Sequence, residues 1–337
     1  MFQNPLATDV LHLELTSQCP LLCQQCARTD FKNKKSIHSL PLESMSLETL
    51  DKTLSQFKNI TALHVCGNYG DIMAYPLMEE ALELINQYNI PETRLYSNGS
   101  GRNSKWWRHL GSHLKGNLTF SIDGMSDTNH IYRVNSKWQK VMNSAESFIS
   151  TGGKAIWEML AFKHNEHQIE KCKQLSKQMG FEEFRVKRPS RFTVYDTQGN
   201  VEPATVKEYQ HKNKDVVGQK QKIICKYKQQ RWIFVSFEGD LFPCCWMGGQ
   251  KYKMNQDNNE IYQLFKKYGN DFLSLKKYTA EQIFEHPWFK TELEKSWNAD
   301  PYKVCTKQCL ESLNNHHELQ YVYSVSYTHL TLPTIYS

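Results

Sequence analysis

What most constrains the fold of this chain is an alternation of short apolar strands with helices that runs from Leu11 to Lys187. Consecutive strands separated by helices need crossovers, and right-handed crossovers lay the strands parallel with the helices packed over them. Strands are expected over residues 11–15, 62–66, 94–96, 118–122, 155–162 and 183–187, and helices over 46–57, 77–88, 138–151 and 167–179. Ser46, with Thr49 three residues on, caps the first of these helices. Gly152-Gly153 and Gly180 end the last two. About six strand–helix units result, an α/β fold over residues 6–190. Two strand ends, Ser97-Asn98-Gly99 and Asp123-Gly124, deliver polar residues at C-terminal tips, where function usually sits. Beyond residue 190 the pattern weakens into polar sequence, so 191–221 is expected as a linker and 222–315 as a small α+β domain carrying the last five cysteines.

Composition narrows the class. In 337 residues, 39% of them hydrophobic, no apolar run reaches the roughly 18 residues of a membrane span. The first residues lack the basic start and apolar stretch of a signal peptide, which gives the expectation of a cytoplasmic protein with no membrane partner. Ten cysteines in such a chain suggest metal ligands more than disulfides. The net charge of +6 is modest and scattered, so nucleic acid is not expected as a partner. Lys32, Lys34 and Lys35, and Lys187, Arg188 and Arg191, form small basic groups read as solvated faces. The stretch 325–337 has no Lys, Arg, Asp or Glu and resembles translated adapter sequence; it is expected to be non-native and disordered.

Cys19-Pro-Leu-Leu-Cys23-Gln-Gln-Cys26 places three thiols within eight residues just after the first strand. Three ligands at this spacing suit three corners of a [4Fe–4S] cubane and leave the fourth iron open to another ligand. The alternative is zinc, with a histidine such as His12 or His38 as fourth ligand.

This motif after a first strand resembles the radical S-adenosylmethionine superfamily, whose fold is a partial (βα)6 barrel. The resemblance implies that Cys19, Cys23 and Cys26 hold the catalytic [4Fe–4S] cluster and that S-adenosylmethionine binds its open iron. Gly67-Asn68-Tyr69-Gly70-Asp71 stands where the family places a Gly-rich turn that meets the methionine amino group. Ser97 and Asn98 resemble the strand end that hydrogen-bonds ribose. Ser121 and Asp123 resemble the polar tip of the fifth strand, and Arg133 the arginine that pairs with the methionine carboxylate, a match for its planar fork. Gln25 departs from the pattern, which has an aromatic or apolar residue before the third cysteine.

Cys225, Gly239 and Cys244, followed by Cys305 and Cys309, resemble the opening of the SPASM and twitch extensions, small modules that hold auxiliary clusters. Residues 232–237 read as a strand and Glu238-Gly239-Asp240 as a hairpin turn that would bring Cys225 and Cys244 together. A short twitch-like module fits best, with Cys225, Cys244, Cys305 and Cys309 as ligands of an auxiliary [4Fe–4S] cluster and Cys245 as competitor. Cys66 and Cys172 are expected to be packed thiols, Trp106, Trp107 and Trp246 to be core residues, and His316-His317 to be surface residues. The implied activity is reductive cleavage of S-adenosylmethionine to a 5′-deoxyadenosyl radical that takes hydrogen from a peptide or small molecule, with a flavodoxin- or ferredoxin-like electron donor. A non-catalytic iron–sulfur electron carrier and a zinc-stabilised structural protein are the alternatives.

Overall fold

The computed structural model describes residues 5–189, 201–210, 222–252, 259–310 and 321–326. Its strands in chain order are β1 (Val10–Leu13), β2 (Thr29–Asp30), β3 (Lys35–Ser36), β4 (Ala62–Val65), β5 (Glu92–Ser97), β6 (Gly116–Ser121), β7 (Lys154–Leu160), β8 (Glu183–Lys187), β9 (Trp232–Val235), β10 (Leu241–Phe242) and β11 (Tyr321–Ser326). The helices are α1 (Leu47–Gln56), α2 (Met78–Gln87), α3 (Ser104–His113), α4 (Asn129–Tyr132), α5 (Trp138–Ile149), α6 (Ile169–Gln178), α7 (Lys226–Gln229), α8 (Cys245–Gly248), α9 (Glu260–Tyr268), α10 (Ala280–Glu285), α11 (Leu293–Ser296) and α12 (Lys303–Cys309).

Among the described residues the strands form one nine-stranded sheet, β10-β9-β1-β4-β5-β6-β7-β8-β11, and a separate β2-β3 hairpin. Every pair from β9 to β8 is parallel, while β10 and β11 run antiparallel at the two edges. The edges do not pair with each other, so the sheet stays open as a partial barrel. Strand alternation sets its two faces. Leu11, Leu13 and Leu15 join Leu50 and Leu54 of α1 and Leu82 and Ile85 of α2 in the core, and the opposite face carries His12 and Glu14.

The six expected strands and four expected helices are all present, with ends shifted by a few residues. Ser46 accepts from the Thr49 amide at 3.1 Å, the expected cap. Sequence patterning did not pick out α3, which is capped by Asn103 and buries Trp106, Trp107, Leu110 and Gly111 along one side. Both tryptophans are core residues, as expected.

Two findings change the domain picture. The strand opening the hairpin, β9, lies parallel to β1, with Val10 opposite Trp232 and Leu13 opposite Val235. One hydrophobic core therefore extends from Leu11 to Leu310, and the segment from 222 onward continues the sheet. An uncovered β1 would have been an exposed edge, which β9 removes. The second finding concerns the tail: Val325 and Ser326 belong to β11, paired with Phe184 and Glu183 of β8. Arg191, His316, His317 and residues 327–337 lie outside the described residues. No described helix is long and apolar enough to cross a membrane.

Candidate active site and second cysteine pocket

The chain leaves β1 at the C-terminal end of the sheet and turns at once into the first cysteine loop. Arg28, 4% exposed, is folded beneath it and donates to the carbonyls of Cys19 (2.6 Å) and Leu21 (3.0 Å) and to Ser36 Oγ (2.7 Å). Leu22 and Gln24 donate backbone N–H groups to the carbonyls of Val134 and Tyr132, and Gln24 Nε2 donates to the Ile131 carbonyl. The loop is thus stitched to the segment that carries Arg133. Gln25 is buried with φ +63°, a left-handed conformation costly for a residue with a side chain. Cys23 is buried and Cys19 and Cys26 half-buried, all three packed around Leu21, Tyr132, Phe162 and Val201. Burial pushes the Cys19 thiol up and that of Cys23 up to about 11, while Arg28 and Arg133 respectively pull against it. Since the thiolate is the ligating form, those two guanidinium groups stand where ligation needs positive charge.

The Gly-rich turn docks directly on this loop. A β-carbon on Gly70 would collide with the Thr16 carbonyl, and the Asp71 amide donates to the Gln18 carbonyl at 2.9 Å, so only glycine permits the approach. Glu14, 1% exposed, accepts from the amides of Tyr69 (2.6 Å) and Gly70 (3.2 Å) through Oε1, while its Oε2 has no protein partner. Burial pushes its pKa up to about 8. Asp71 is the hub. Its Oδ1 accepts from Ser97 Oγ (2.7 Å) and the Met73 amide (3.1 Å), and its Oδ2 from the Asn98 amide (2.8 Å) and Asn98 Nδ2 (2.6 Å). Four donors fill this carboxylate, so it joins the turn to the end of β5 and has no acceptor site left for a ligand ammonium.

Other expected residues also have structural partners. Asn98 Nδ2 reaches Cys19 Sγ at 3.5 Å. Asp123, fully buried, accepts from Arg133 Nε at 2.6 Å and from the Leu160 amide at 2.7 Å. It therefore supports the arginine and does not itself face a ligand. Arg133 remains 16% exposed at its side chain and lies near enough to Cys23 for its charge to pull that thiol down, with other donors to spare. Ser121 sits half-buried at the end of β6, opposite Glu158 of β7. Tyr69 packs its ring against Phe237 and Tyr252, and Asn68 Nδ2 donates to the Cys245 carbonyl at 2.9 Å.

The second cysteine group assembles from three separate stretches. Cys225 precedes α7, Cys244 precedes α8, and Cys305 and Cys309 lie four residues apart on one face of α12. All four line a single cavity closed by apolar side chains that include Trp246, Met247, Leu293 and Trp297. The Val235–Leu241 hairpin, turning at Gly239 with φ +88°, carries Cys244 to this place. Cys225 and Cys309 act on each other, which pushes the first thiol up and draws the second down. Lys226, 6% exposed, is the cation felt by Cys225, Cys244, Cys245 and Cys309. Cys245 does not line the cavity; its Sγ lies 3.9 Å from Tyr227 Oη. Trp246, expected in the core, packs against it and also lines this cavity.

No protein-family model and no curated protein matches the sequence. Solved structures do resemble the fold. Streptococcus suis SuiB bound to precursor peptide SuiA superposes with a TM-score of 0.55 at 14% identity, covering 78% of this chain and 64% of that one. Native anSMEcpe with bound AdoMet gives 0.53 at 14% identity, covering 89% of each chain. The same enzyme with AdoMet and the Cp18Cys peptide gives 0.53 at 14%, covering 84% of this chain and 82% of that one. The chain has the fold of the radical S-adenosylmethionine enzymes.

Within that radical S-adenosylmethionine fold the cysteine loop, the Gly-rich turn and the tips of β5 and β6 meet at the C-terminal ends of the strands, as the sequence pattern implied. Glu14, Gln24 and Arg28 were missed. An acid flanked by Leu13 and Leu15 in an apolar strand was the available signal for Glu14, because a buried carboxylate needs a reason. Nothing in spacing alone marks Arg28. The zinc alternative fares differently: His12 is half-buried and bonded through Nε2 to the Cys66 carbonyl at 2.7 Å, and His38 is exposed. Among the described residues no three His, Cys, Asp or Glu side chains converge as one metal ion requires. A cubane asks less, since each iron takes one thiolate.

Proposed function

We propose that the chain is a radical S-adenosylmethionine enzyme whose Cys19, Cys23 and Cys26 hold a catalytic [4Fe–4S] cluster and whose Cys225, Cys244, Cys305 and Cys309 hold an auxiliary one in a twitch-like pocket. The observation that carries this is the convergence of three loop thiols with Arg133 and Asn98 at the open end of a parallel barrel. When bound, the cluster supplies a low-potential electron to the sulfonium of S-adenosylmethionine, releasing a 5′-deoxyadenosyl radical that takes hydrogen from a substrate.

The chain's own residues bind and orient. Arg133, pinned through Nε by Asp123, offers its remaining donors to the methionine carboxylate in a bidentate fork. Gly67 and Gly70 let backbone groups approach the methionine amino group, and Glu14 holds that turn by two amides. Ser121 faces the barrel interior as a polar contact. Leu21, Tyr132 and Phe162 form an apolar wall that excludes water from the loop. A peptide is the favoured substrate class, because SuiB and anSMEcpe are seen with peptides bound. A flavodoxin- or ferredoxin-like protein supplies the electron.

Anaerobic reconstitution tests this: iron and sulfide should be incorporated, and dithionite with S-adenosylmethionine should yield 5′-deoxyadenosine and methionine. A cluster that is reduced without any 5′-deoxyadenosine would make the chain an electron carrier. Zinc without sulfide would make it a structural metal protein.

A further inference from the structure

We infer that Asn98 is a positioning residue for the first cluster, its side-chain amide donating a hydrogen bond to the sulfur of Cys19 and raising the cluster's reduction potential. This rests on the assignment of Cys19 as a cluster ligand, and it gives Asn98 a task different from a ribose contact.

The geometry fixes which end of the amide faces the sulfur. Asn98 Nδ2 lies 2.6 Å from Asp71 Oδ2, an atom that only accepts while the carboxylate is ionised, and Asn98 Oδ1 accepts from the Ser100 amide at 2.9 Å, a group that only donates. A flipped amide would set oxygen against oxygen and N–H against N–H, so the network allows one orientation. The second Nδ2 hydrogen is left for Cys19 Sγ at 3.5 Å, within range for an N–H···S contact. Asp71 cannot swing away. Ser97 Oγ, the Met73 amide and the Asn98 amide hold it in place, and its residue is 8% exposed. The Asp71 amide donates to the carbonyl of Gln18, the residue before Cys19, so donor and sulfur are anchored to one frame. Asn98 is itself 6% exposed, which keeps water from taking its place.

A hydrogen bond to a cluster sulfur draws electron density from the thiolate and favours the reduced, more negative state. The first iron–sulfur centre of this chain must accept an electron from a donor protein, and the Asn98 amide makes that easier. Removing it therefore lowers the midpoint without removing a ligand.

The test is a potentiometric titration of anaerobically reconstituted full-length protein, followed by the electron paramagnetic resonance signal that changes when S-adenosylmethionine is added. Asn98→Leu keeps the volume and loses the donor. It should bind the same iron and sulfide as the parent and titrate at lower potential. If the leucine variant loses iron, Asn98→Ser, whose hydroxyl is too short to reach the sulfur, should show the drop instead. Midpoints equal to the parent's in iron-replete variants overturn the inference. A parent protein that takes up no cluster overturns the functional assignment itself, a separate outcome.

Discussion

The two cysteine groups are built on opposite plans. In the first, all three thiols come from one short loop, and the apolar side chains they pack against, Leu21, Tyr132, Phe162 and Val201, sit within a polar frame of Glu14, Asp71, Asp123, Arg28, Arg133 and Asn98, nearly all buried and tied by hydrogen bonds. In the second, four thiols come from stretches far apart in the chain, and their cavity is lined by tryptophan and aliphatic side chains with the buried cation Lys226 beside it. A loop that supplies its own ligands can leave a coordination position open, because the fold does not depend on closing it. A pocket closed by four thiolates from separate segments resembles a structural site, in which the metal group ties the chain together. Under the proposed function, the contrast gives chemistry to the first group and electron transfer or folding support to the second.

The largest effect expected from this contrast is loss of turnover with little loss of fold. Cys23→Ala should abolish 5′-deoxyadenosine formation in reconstituted protein while the far-ultraviolet circular dichroism stays native; continued production of the nucleoside would break the assignment. Cys309→Ala should do the reverse. Iron and sulfide per chain should fall by about half, dithionite-driven 5′-deoxyadenosine should persist, and the melting temperature of the reconstituted protein should drop, because α12 loses its tie to α7 and α8. Equal losses of nucleoside in both variants would erase the distinction between the two sites.

The polar frame of the first site predicts a stability cost with no counterpart in the second. Asp123→Ala leaves the half-buried Arg133 without its carboxylate and the Leu160 amide without its acceptor. Breaking a buried pair from one side costs roughly 3–5 kcal/mol. Urea unfolding of the apoprotein should record a loss of that order, and S-adenosylmethionine binding should weaken as Arg133 loses its orientation. A change within the scatter of a surface substitution would mean that the pair is solvated in a way its burial denies.

Much of this was legible in the sequence because periodicity and ligand spacing are local. The six parallel strands follow from apolar alternation between helices, and the three-thiol loop from eight consecutive residues. What stayed hidden depends on contacts between distant segments. Pairing of β9 with β1 joins Val10 to Trp232, and nothing in either strand names its neighbour. The same holds for Val325 and Ser326, which sequence composition set aside and β8 pairs into the sheet. At the site, Asp71, Ser97 and Asp123 look like ligand contacts from sequence, yet their polar atoms are occupied by one another, by Arg133 and by the backbone. Hydrogen-bond saturation is a property of the folded network, invisible to motif spacing.

The last effect expected is one of pH, read as the difference between the parent and a Glu14 variant. Burial holds its carboxyl near 8 in the folded chain, against an ordinary value of 4.5. Between those values the folded protein keeps a proton that the unfolded chain releases, so stability falls as pH rises through that window and levels off above about 8. Glu14→Gln retains an oxygen for the Tyr69 and Gly70 amides and places a neutral amide where Oε2 has no partner. The variant should match the parent near pH 5 and unfold at higher urea than the parent at pH 9. Asp71 and Asp123 are also pushed upward by burial, but they bend both curves alike and cancel in the difference. Parallel curves for parent and variant across the whole range would show that Glu14 is ionised in the folded state. The Gly-rich turn would then be held by a buried charge, the arrangement the second cysteine pocket uses with Lys226, and the contrast between the two sites would narrow.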